Sequence, residues 1–153
     1  MGYHTVVVGY DGSADADRAV EAAGDQVGAD GTVHVVTAFH PESTTLLVQH
    51  LRQLPKEFRT VYDPDAVENA QQQLALLHLQ GRGVRCQGHV VRDDPATAII
   101  DVAEREGADL VVVGSRGLGE IRRFLRGSVS ARVAVHAPMS VLIVHAPGDT
   151  PRD

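Results

Sequence analysis

The chain is poor in residues that several classes of protein depend on. Its 153 residues contain one cysteine, no tryptophan, three tyrosines and three phenylalanines. The single cysteine, Cys86, excludes an intrachain disulfide and a cysteine-based zinc site, and it is typical of a reducing compartment. So few aromatic side chains also argue against the base-stacking platform of a single-stranded nucleic-acid binder.

Positive charge and long apolar runs are also scarce. The 14 lysines and arginines are outnumbered by 20 aspartates and glutamates, which leaves a net charge of −6. A duplex-binding protein normally carries a dominant basic face, so this balance argues against nucleic acid as a partner. The start, MGYHTVVVGYDGS, lacks the pattern of a signal peptide, and no segment is long enough to span a membrane. We therefore expect a cytoplasmic protein without a membrane partner.

Short β-branched segments alternate with helix-like segments along the chain. Such alternation favours an α/β fold, and the continuous apolar runs at 6–8 and 110–113 are typical of strands buried on both faces. We predict a single doubly wound domain over residues 1–147, followed by a loose tail at 148–153. Its five-stranded parallel sheet should have the order 3-2-1-4-5, with helices on both faces. The strands are expected at 3–10, 32–39, 84–91, 109–115 and 140–146.

Capping residues and glycine stops locate four helices between these strands. They are expected from Ser13 to about Gly28, from Asp63-Pro64 to Gly81, from Asp94-Pro95 to Gly107, and from Ser128 to Ala137. On the second helix, one predicted inward face carries Val67, Ala70, Leu74 and Leu77. Residues 40–62 fit none of these patterns, although 46–54 could form a short extra helix.

A glycine-rich loop follows the fourth predicted strand. Gly114 and Gly117 are three residues apart, and Gly127 and Ser128 open the last predicted helix. Phosphate binding needs several backbone N–H groups with no Cβ in the way, and a helix N-terminus adds unpaired N–H groups and partial positive charge. The loop is therefore a candidate phosphate site. The alternative is that its glycines only connect a strand tightly to a helix.

The predicted strand order gives this loop a neighbour. Strands 1 and 4 lie side by side, so their carboxyl ends flank the switch point where open α/β sheets bind ligands. Strand 1 ends in the segment at 9–13, Gly-Tyr-Asp-Gly-Ser. Two separate sequence features thus converge on one crevice.

The spacing G-x2-G-x9-G-S/T, formed here by Gly114, Gly117, Gly127 and Ser128, resembles the signature of the ATP-binding branch of the universal stress protein family. The segments VVVGYDGS and HAPMSVLIV are similar to the family's first and last strands. Ser140 departs from the family's pattern, which often has proline there. The resemblance implies an ATP-binding protein that commonly dimerises through its last strand, here Val141 to Val144.

The resemblance also implies which residues contact the nucleotide. Asp11 and the backbone around Gly9 and Ala38 would face adenine and ribose. The phosphates would be surrounded by Gly114, Arg116, Gly117, Gly127, Ser128 and Val129, and the predicted binding set also includes Val113, Gly119 and Ser130. Two alternatives stay open: Asp11 beside Gly12 is also a common turn pair, and Arg116 could belong to a solvated cationic flank.

Metal binding and catalysis have little support in the sequence. The eight histidines show no close pair on one helix face and no cluster with carboxylates at ligand spacing, so we expect no metal-binding residues. The chain has no G-x4-G-K-S/T motif and no evident general base near the loop, so we expect no catalytic residues. The interpretation is a protein that holds ATP, with Mg²⁺ as an optional counterion, and hydrolyses it slowly or not at all.

Two alternatives to this interpretation are kept. One is an adenine-nucleotide hydrolase or transferase on the same fold, with Asp11 recruited for metal binding. The other is a partner-binding module whose nucleotide site is empty.

Overall fold

A computed structural model describes residues 2–38, 53, 55, 64–115 and 128–145. Five strands form one all-parallel sheet in the order β3-β2-β1-β4-β5, which confirms the predicted topology. The predicted helix at 46–54 and the predicted tail lie outside the described residues. The elements are β1 (Tyr3–Gly9), α1 (Ala14–Gln26), β2 (Val27–Ala38), α2 (Pro64–Gly81), β3 (Arg85–Val91), α3 (Pro95–Arg105), β4 (Leu110–Gly114), α4 (Ser128–His136) and β5 (Ser140–Val144).

The sheet is covered by helices on both faces, as predicted. Side chains alternate along β1, so Val6 and Val8 pack in the core layer under α1 and α2, while Val7 packs in the layer under α3 and α4. All three valines are fully buried. The continuous apolar run in the sequence is therefore explained by two cores, one on each face. Among the described helices, none is both long and apolar enough to cross a membrane.

Strand β2 begins at Val27, earlier than the predicted residue 32. α1 ends at Gln26, and the chain becomes extended at once because Val27 pairs with Tyr3. The register then shifts, since the next paired residue of β2 is Thr32, opposite Thr5. A Cβ on Gly31 would lie 2.8 Å from two carbonyl oxygens of β1, so glycine permits this close approach.

Helix α2 turns a different face to the sheet than predicted. Leu74 and Leu77, which were expected to point inward, are 66% and 59% exposed, and Ala70 is also exposed. The helix instead buries Gln72, Ala75, Leu76 and Leu79. A count of apolar periodicity gives no weight to Gln72, a polar residue on the buried face.

Gln72 is buried because its amide is bonded to the sheet. Its Nε2 atom donates toward the carbonyl oxygens of Val35 at 3.0 Å and His89 at 2.7 Å, and toward Thr37 Oγ1 at 3.2 Å. Gly88 makes room for the amide, since a Cβ there would lie 2.3 Å from Gln72 Oε1. These bonds satisfy a polar group that would be costly to bury alone.

Candidate functional site

The carboxyl edge of the sheet brings together the first group of predicted nucleotide-binding residues. β1 and β4 are neighbours, with Val8 opposite Val112, and they end at Gly9 and Gly114. Ala38 ends β2 at the same edge, since Gly9 lies opposite Val36. The ends of β1 and β4 therefore lie side by side, as the predicted strand order requires.

The turn from β1 to α1 is closed by its own hydrogen bonds. The Tyr10 N–H donates to the Val36 carbonyl at 2.8 Å, and Asp11 Oδ1 accepts the Ser13 N–H at 3.0 Å. Gly12 has φ +81°, a conformation that favours glycine. Ser13 caps α1, since its Oγ accepts the Ala16 N–H at 3.1 Å, as predicted. Asp11 thus forms the turn, and its contact with a nucleotide stays a prediction.

Two predicted ligand glycines also have packing roles. A Cβ on Gly114 would lie 3.0 Å from both the Cβ and the carbonyl oxygen of Asp15, in the first turn of α1. A Cβ on Gly9 would lie 2.7 Å from Ile99 Cδ1 on α3. Val113 is buried in the core layer under α3 and α4, so only its backbone is available to a ligand. Close packing therefore explains part of the preference for glycine at these strand ends. This agrees with the alternative that the glycines connect strand and helix tightly.

The corner between α1 and the end of β4 holds polar atoms that sequence reasoning missed. We call Asp15, Arg18 and Ser115 the polar corner. Asp15 is 7% exposed and forms an ion pair with Arg18. Asp15 Oδ2, Arg18 Nε and Ser115 Oγ are buried without a hydrogen-bond partner among the described residues. Such atoms are uncommon in folded proteins. Asp15 packs against Gly114, and Ser115 follows Gly114 in the chain.

Helix α4 is linked to α3 by an ion pair. Arg132 Nη1 lies 2.7 Å from Asp94 Oδ2, and Asp94 caps α3 by accepting the Thr97 N–H. Desolvation, the largest contribution, raises the pKa of Asp94, but the bonds from Arg132 and Thr97 outweigh it and hold the pKa below its ordinary value. The ion pair therefore links the cap of α3 to the middle of α4.

The remaining predicted residues divide into two groups. Val129 is partly buried against the core layer under α3 and α4, and Ser130 is 7% exposed in the first turn of α4. Ser128 is the first residue of α4, but its side chain is not among those described. Four further predicted residues, Arg116, Gly117, Gly119 and Gly127, lie outside the described residues.

A cleft of about 390 Å³ lies elsewhere, between α1 and α2. Its lining includes the acidic side chains of Asp17 and Glu21 together with His78, which pairs with Glu21. None of the predicted nucleotide-binding residues lines it. Two carboxylates would repel a phosphate, so this cleft is a poor place for the triphosphate of ATP.

The expectation of no metal-binding residues stays a prediction, but three described residues with possible ligand atoms do meet in the fold. His34 on β2, His89 on β3 and Glu106 after α3 bring possible ligand atoms within 4.8 Å of one another. The sequence signal was weak, because the two histidines are 55 residues apart and meet only through strand pairing. Within its strand, each histidine points to the face of the sheet that α3 covers.

Comparisons with known proteins agree with the fold and with the sequence resemblance. A model of the universal stress protein family matches residues 2–145. A universal stress protein of Mycobacterium tuberculosis is 32% identical over 143 residues, which cover 94% of this chain and 97% of that protein. A crystal structure of a universal stress protein in complex with cAMP is 31% identical, with a TM-score of 0.59, and covers 95% of this chain and 98% of that one.

A more distant solved structure supports the fold alone. That structure, solved as a test case of structural genomics, is 20% identical to this chain in sequence and has a TM-score of 0.76. The match covers 97% of this chain and 100% of that one.

Proposed function

The chain belongs to the universal stress protein family, and on that premise we propose that it binds an adenine nucleotide at the carboxyl edge of its sheet. ATP is the proposed ligand, held with little or no hydrolysis, and its occupancy would regulate a conformation or a partner interaction. The observation that carries the proposal is the adjacency of β1 and β4. It puts Gly9 and Asp11 beside the start of the G-x2-G-x9-G-S/T segment.

The chemistry of this edge suits a nucleotide. Arg132 of α4 pairs with Asp94 at the cap of α3, and the dipole of α4 favours an anion at its N-terminus. The polar corner adds two buried donors, the hydroxyl of Ser115, which follows Gly114 in the chain, and the Nε–H of Arg18, whose side chain pairs with Asp15. Donors without a partner among the described residues are suited to phosphate or ribose oxygens.

A second ligand, cAMP, is favoured by a different observation. The 31% identical structure was solved in complex with cAMP, whereas the glycine motif of this chain favours ATP. The two nucleotides differ by two phosphates and by the ring that closes the remaining one. Competition between them for the purified protein distinguishes the candidates, because ATP should displace bound cAMP only weakly if cAMP is the true ligand.

Mass spectrometry of ligand released from purified protein, followed by thermal unfolding with added nucleotide, tests the proposal directly. Nucleotide at 100 times its dissociation constant should stabilise the fold by about 2.7 kcal/mol, because it binds only the native state. For a chain of this length the melting temperature should rise by about 5–10 °C. Protein that carries no nucleotide and gains no stability from either ligand would instead support the partner-binding alternative.

A matched pair of variants localises the site. The sequence motif predicts that Gly117→Val abolishes the shift, because a branched side chain would occupy the phosphate position. Gly81→Val is the control, since Gly81 ends α2, where a Cβ meets nothing within 4 Å. If Gly117→Val retains full ATP affinity, the proposed phosphate loop is wrong.

The hydrolase alternative is tested at Asp11. One of its carboxylate oxygens accepts the Ser13 N–H in the turn, so Asp11→Asn is the conservative variant. Steady turnover of radiolabelled ATP that is lost in Asp11→Ala and Asp11→Asn while nucleotide binding persists would favour an enzyme. We expect no such turnover.

We also propose a homodimer through Val141 to Val144. β5 is an edge strand of the sheet, and its four apolar residues are each partly exposed. The Ser115 N–H donates to the Val144 carbonyl, so the backbone groups of Val144 point toward β4. In a parallel pair this direction alternates along the strand. Leu142 therefore also points its backbone groups toward β4, and Ile143 points its groups outward. An apolar edge strand of this kind invites pairing with a second copy. The proposed cytoplasmic location stays a prediction.

Light scattering on two proline variants tests the dimer. Ile143→Pro removes an outward N–H and should dissociate the dimer while preserving the β4–β5 pairing. Leu142→Pro removes an N–H that faces β4 and should destabilise the subunit itself. A monomeric wild-type protein, or an Ile143→Pro variant that stays dimeric, would contradict the proposed interface.

A further inference from the structure

A second group of chemically active side chains lies on the sheet face that is covered by α3 and α4. His34, His89 and Glu106 each offer one ligand atom, and these atoms all lie within 4.8 Å of one another. His34 Nδ1 and His89 Nε2 are 2.9 Å apart. None of the three belongs to the proposed nucleotide-binding set.

The fold fixes the backbone of all three residues. Val36 of β2 pairs with His89 of β3, and His34 lies two residues before Val36. The side chains of His34, Val36 and His89 therefore share one face of the sheet. Val36 packs against the α3 layer, which identifies that face. Glu106 follows the last turn of α3, where its N–H donates to the Val102 carbonyl at 2.9 Å. The ligands therefore come from two strands and one helix end, all of them ordered elements.

We propose that His34, His89 and Glu106 bind a divalent transition-metal ion of the zinc class. Two imidazoles and one carboxylate form a donor set that suits Zn²⁺ and its first-row neighbours, whereas Mg²⁺ and Ca²⁺ prefer oxygen ligands alone. Three protein ligands leave the fourth tetrahedral position for water. His89 and Glu106 are partly exposed, so an ion and its water can reach the site from solvent.

The geometry requires only a small adjustment. Ligand nitrogens about 2.0–2.1 Å from a tetrahedral ion lie about 3.3 Å from each other. The imidazole nitrogens at 2.9 Å would separate by a few tenths of an ångström, and the carboxylate would move inward by a rotation of the Glu106 side chain. That side chain is 31% exposed and has room to turn.

A neighbouring cation also lies near the carboxylate ligand. Arg105 competes for Glu106, with 3.9 Å between Arg105 Nε and Glu106 Oε1. Arg105 is 63% exposed, and an exposed ion pair of this kind is weak.

Metal titration of the full-length protein tests the site. Protein freed of metal with a chelator is titrated with Zn²⁺, and with Co²⁺ as an optical probe whose visible absorption reports tetrahedral nitrogen and oxygen ligands. We expect one equivalent of either ion and a Zn²⁺-dependent rise in melting temperature. Loss of a direct ligand in His89→Gln or Glu106→Gln should lower Zn²⁺ affinity more than about 100-fold, since even outer-shell changes typically cost 10–100-fold.

The controls separate this site from other metal contacts. His136 is an exposed histidine on α4, and His136→Gln should leave Zn²⁺ affinity unchanged. Gly117→Val, which should block nucleotide, should also leave it unchanged, so metal carried by nucleotide phosphates is distinguished. His89→Gln and Glu106→Gln affect partly exposed side chains, and their melting temperatures without metal check that they fold.

Three results would overturn the proposal. The first is a wild-type protein that shows no Zn²⁺-dependent stabilisation and no tetrahedral Co²⁺ spectrum. The second is a folded His89→Gln/Glu106→Gln double variant that keeps wild-type Zn²⁺ affinity. The third is an equal loss of affinity in His136→Gln and His89→Gln, which would indicate surface binding. In each case His34 and His89 form only a hydrogen-bonded pair in the core.

Discussion

The sequence Val-Val-Val-Gly occurs twice, at residues 6–9 and 111–114, and the two copies lie side by side as the carboxyl halves of β1 and β4. They are offset by one residue, since Val7 lies opposite Val111. Because side chains alternate along a strand, this offset turns the two terminal glycines to opposite faces of the sheet. Gly9 therefore packs against Ile99 of α3, and Gly114 against Asp15 of α1.

The two strand ends also differ in how their polar groups are satisfied. After Gly9, a short turn uses Asp11 and Ser13 to bond its own N–H groups and to cap α1. After Gly114, the Ser115 N–H bonds to β5, but the Ser115 hydroxyl has no partner among the described residues. The comparison teaches that identical tetrapeptides can end one strand in a self-bonded turn and the other at a buried hydroxyl without a partner among the described residues.

Gly114→Ala should have the largest effect on this pair of strand ends. Its Cβ would lie 3.0 Å from the Cβ and carbonyl oxygen of Asp15, groups that cannot move without moving the first turn of α1. We expect a loss of about 2 kcal/mol in the free energy of unfolding, in the range typical of overpacking. Urea denaturation measures it, and a loss below about 0.5 kcal/mol would show that α1 yields easily.

The opposite ends of the same strands are joined by Asp109. Its carboxylate accepts the His4 N–H at 3.0 Å and the Thr5 N–H at 2.9 Å, and its own N–H donates to Thr5. Asp109→Asn should lower the free energy of unfolding at neutral pH by about 1.5 kcal/mol, because hydrogen bonds to a charged acceptor are the stronger kind.

The effect of Asp109→Asn should depend on pH. Desolvation raises the pKa of Asp109, but the His4 and Thr5 N–H groups outweigh it and lower the pKa below its ordinary value. A carboxylate with a depressed folded pKa contributes stability above its unfolded pKa of about 3.9, and that stability is lost as pH falls through the folded pKa. The difference between wild type and variant should therefore shrink in acid. A difference that is constant with pH would contradict the assigned bonds.

Gly9→Ala should cost less than Gly114→Ala because the clashing atom is the end of a flexible side chain. The new Cβ would meet Ile99 Cδ1 at 2.7 Å, and Ile99 can change rotamer within the core. We expect a loss of about 1 kcal/mol in unfolding free energy. Ile99→Val removes the clashing methyl, so the double variant should be more stable than the two single effects predict. Simple additivity in the double-mutant cycle would show that the clash is absent.

The smallest effect is expected at Ser115. Ser115→Ala removes a buried hydroxyl without a partner among the described residues and should change the unfolding free energy by less than about 0.5 kcal/mol. Ser13→Ala is the matched comparison, since loss of an N-cap costs about 1 kcal/mol. A loss of nucleotide affinity in Ser115→Ala at unchanged stability would extend the proposed site to the polar corner. Equal destabilisation by both substitutions would remove the contrast between the two turns.

The sequence predicted the topology well because its signals are local. Strand order followed from the alternation of elements, and the caps Ser13 and Asp94 each accept an N–H three residues ahead, as their positions suggested. The packing roles of Gly9 and Gly114 could not be read in the same way, because they depend on helices that arrive from elsewhere in the chain.

Errors arose where a contact across the sheet overrode a local pattern. The buried face of α2 includes Gln72, and a count of apolar spacing leaves out its bonds to β2 and β3. His34 and His89 meet through a strand register that no spacing rule contains. The early start of β2 was missed because Val27 passes from helix to strand without a loop.

The central position of β1 has a consequence for synthesis of the chain. A ribosome completes β1 first, and its partner β2 follows within 38 residues, but its second partner, β4, begins only at Leu110. Through most of translation one side of β1 therefore carries unpaired backbone groups beside fully apolar side chains, the arrangement that invites association between nascent chains. A chaperone that shields this edge until β4 emerges would protect the protein during the longest interval of its assembly.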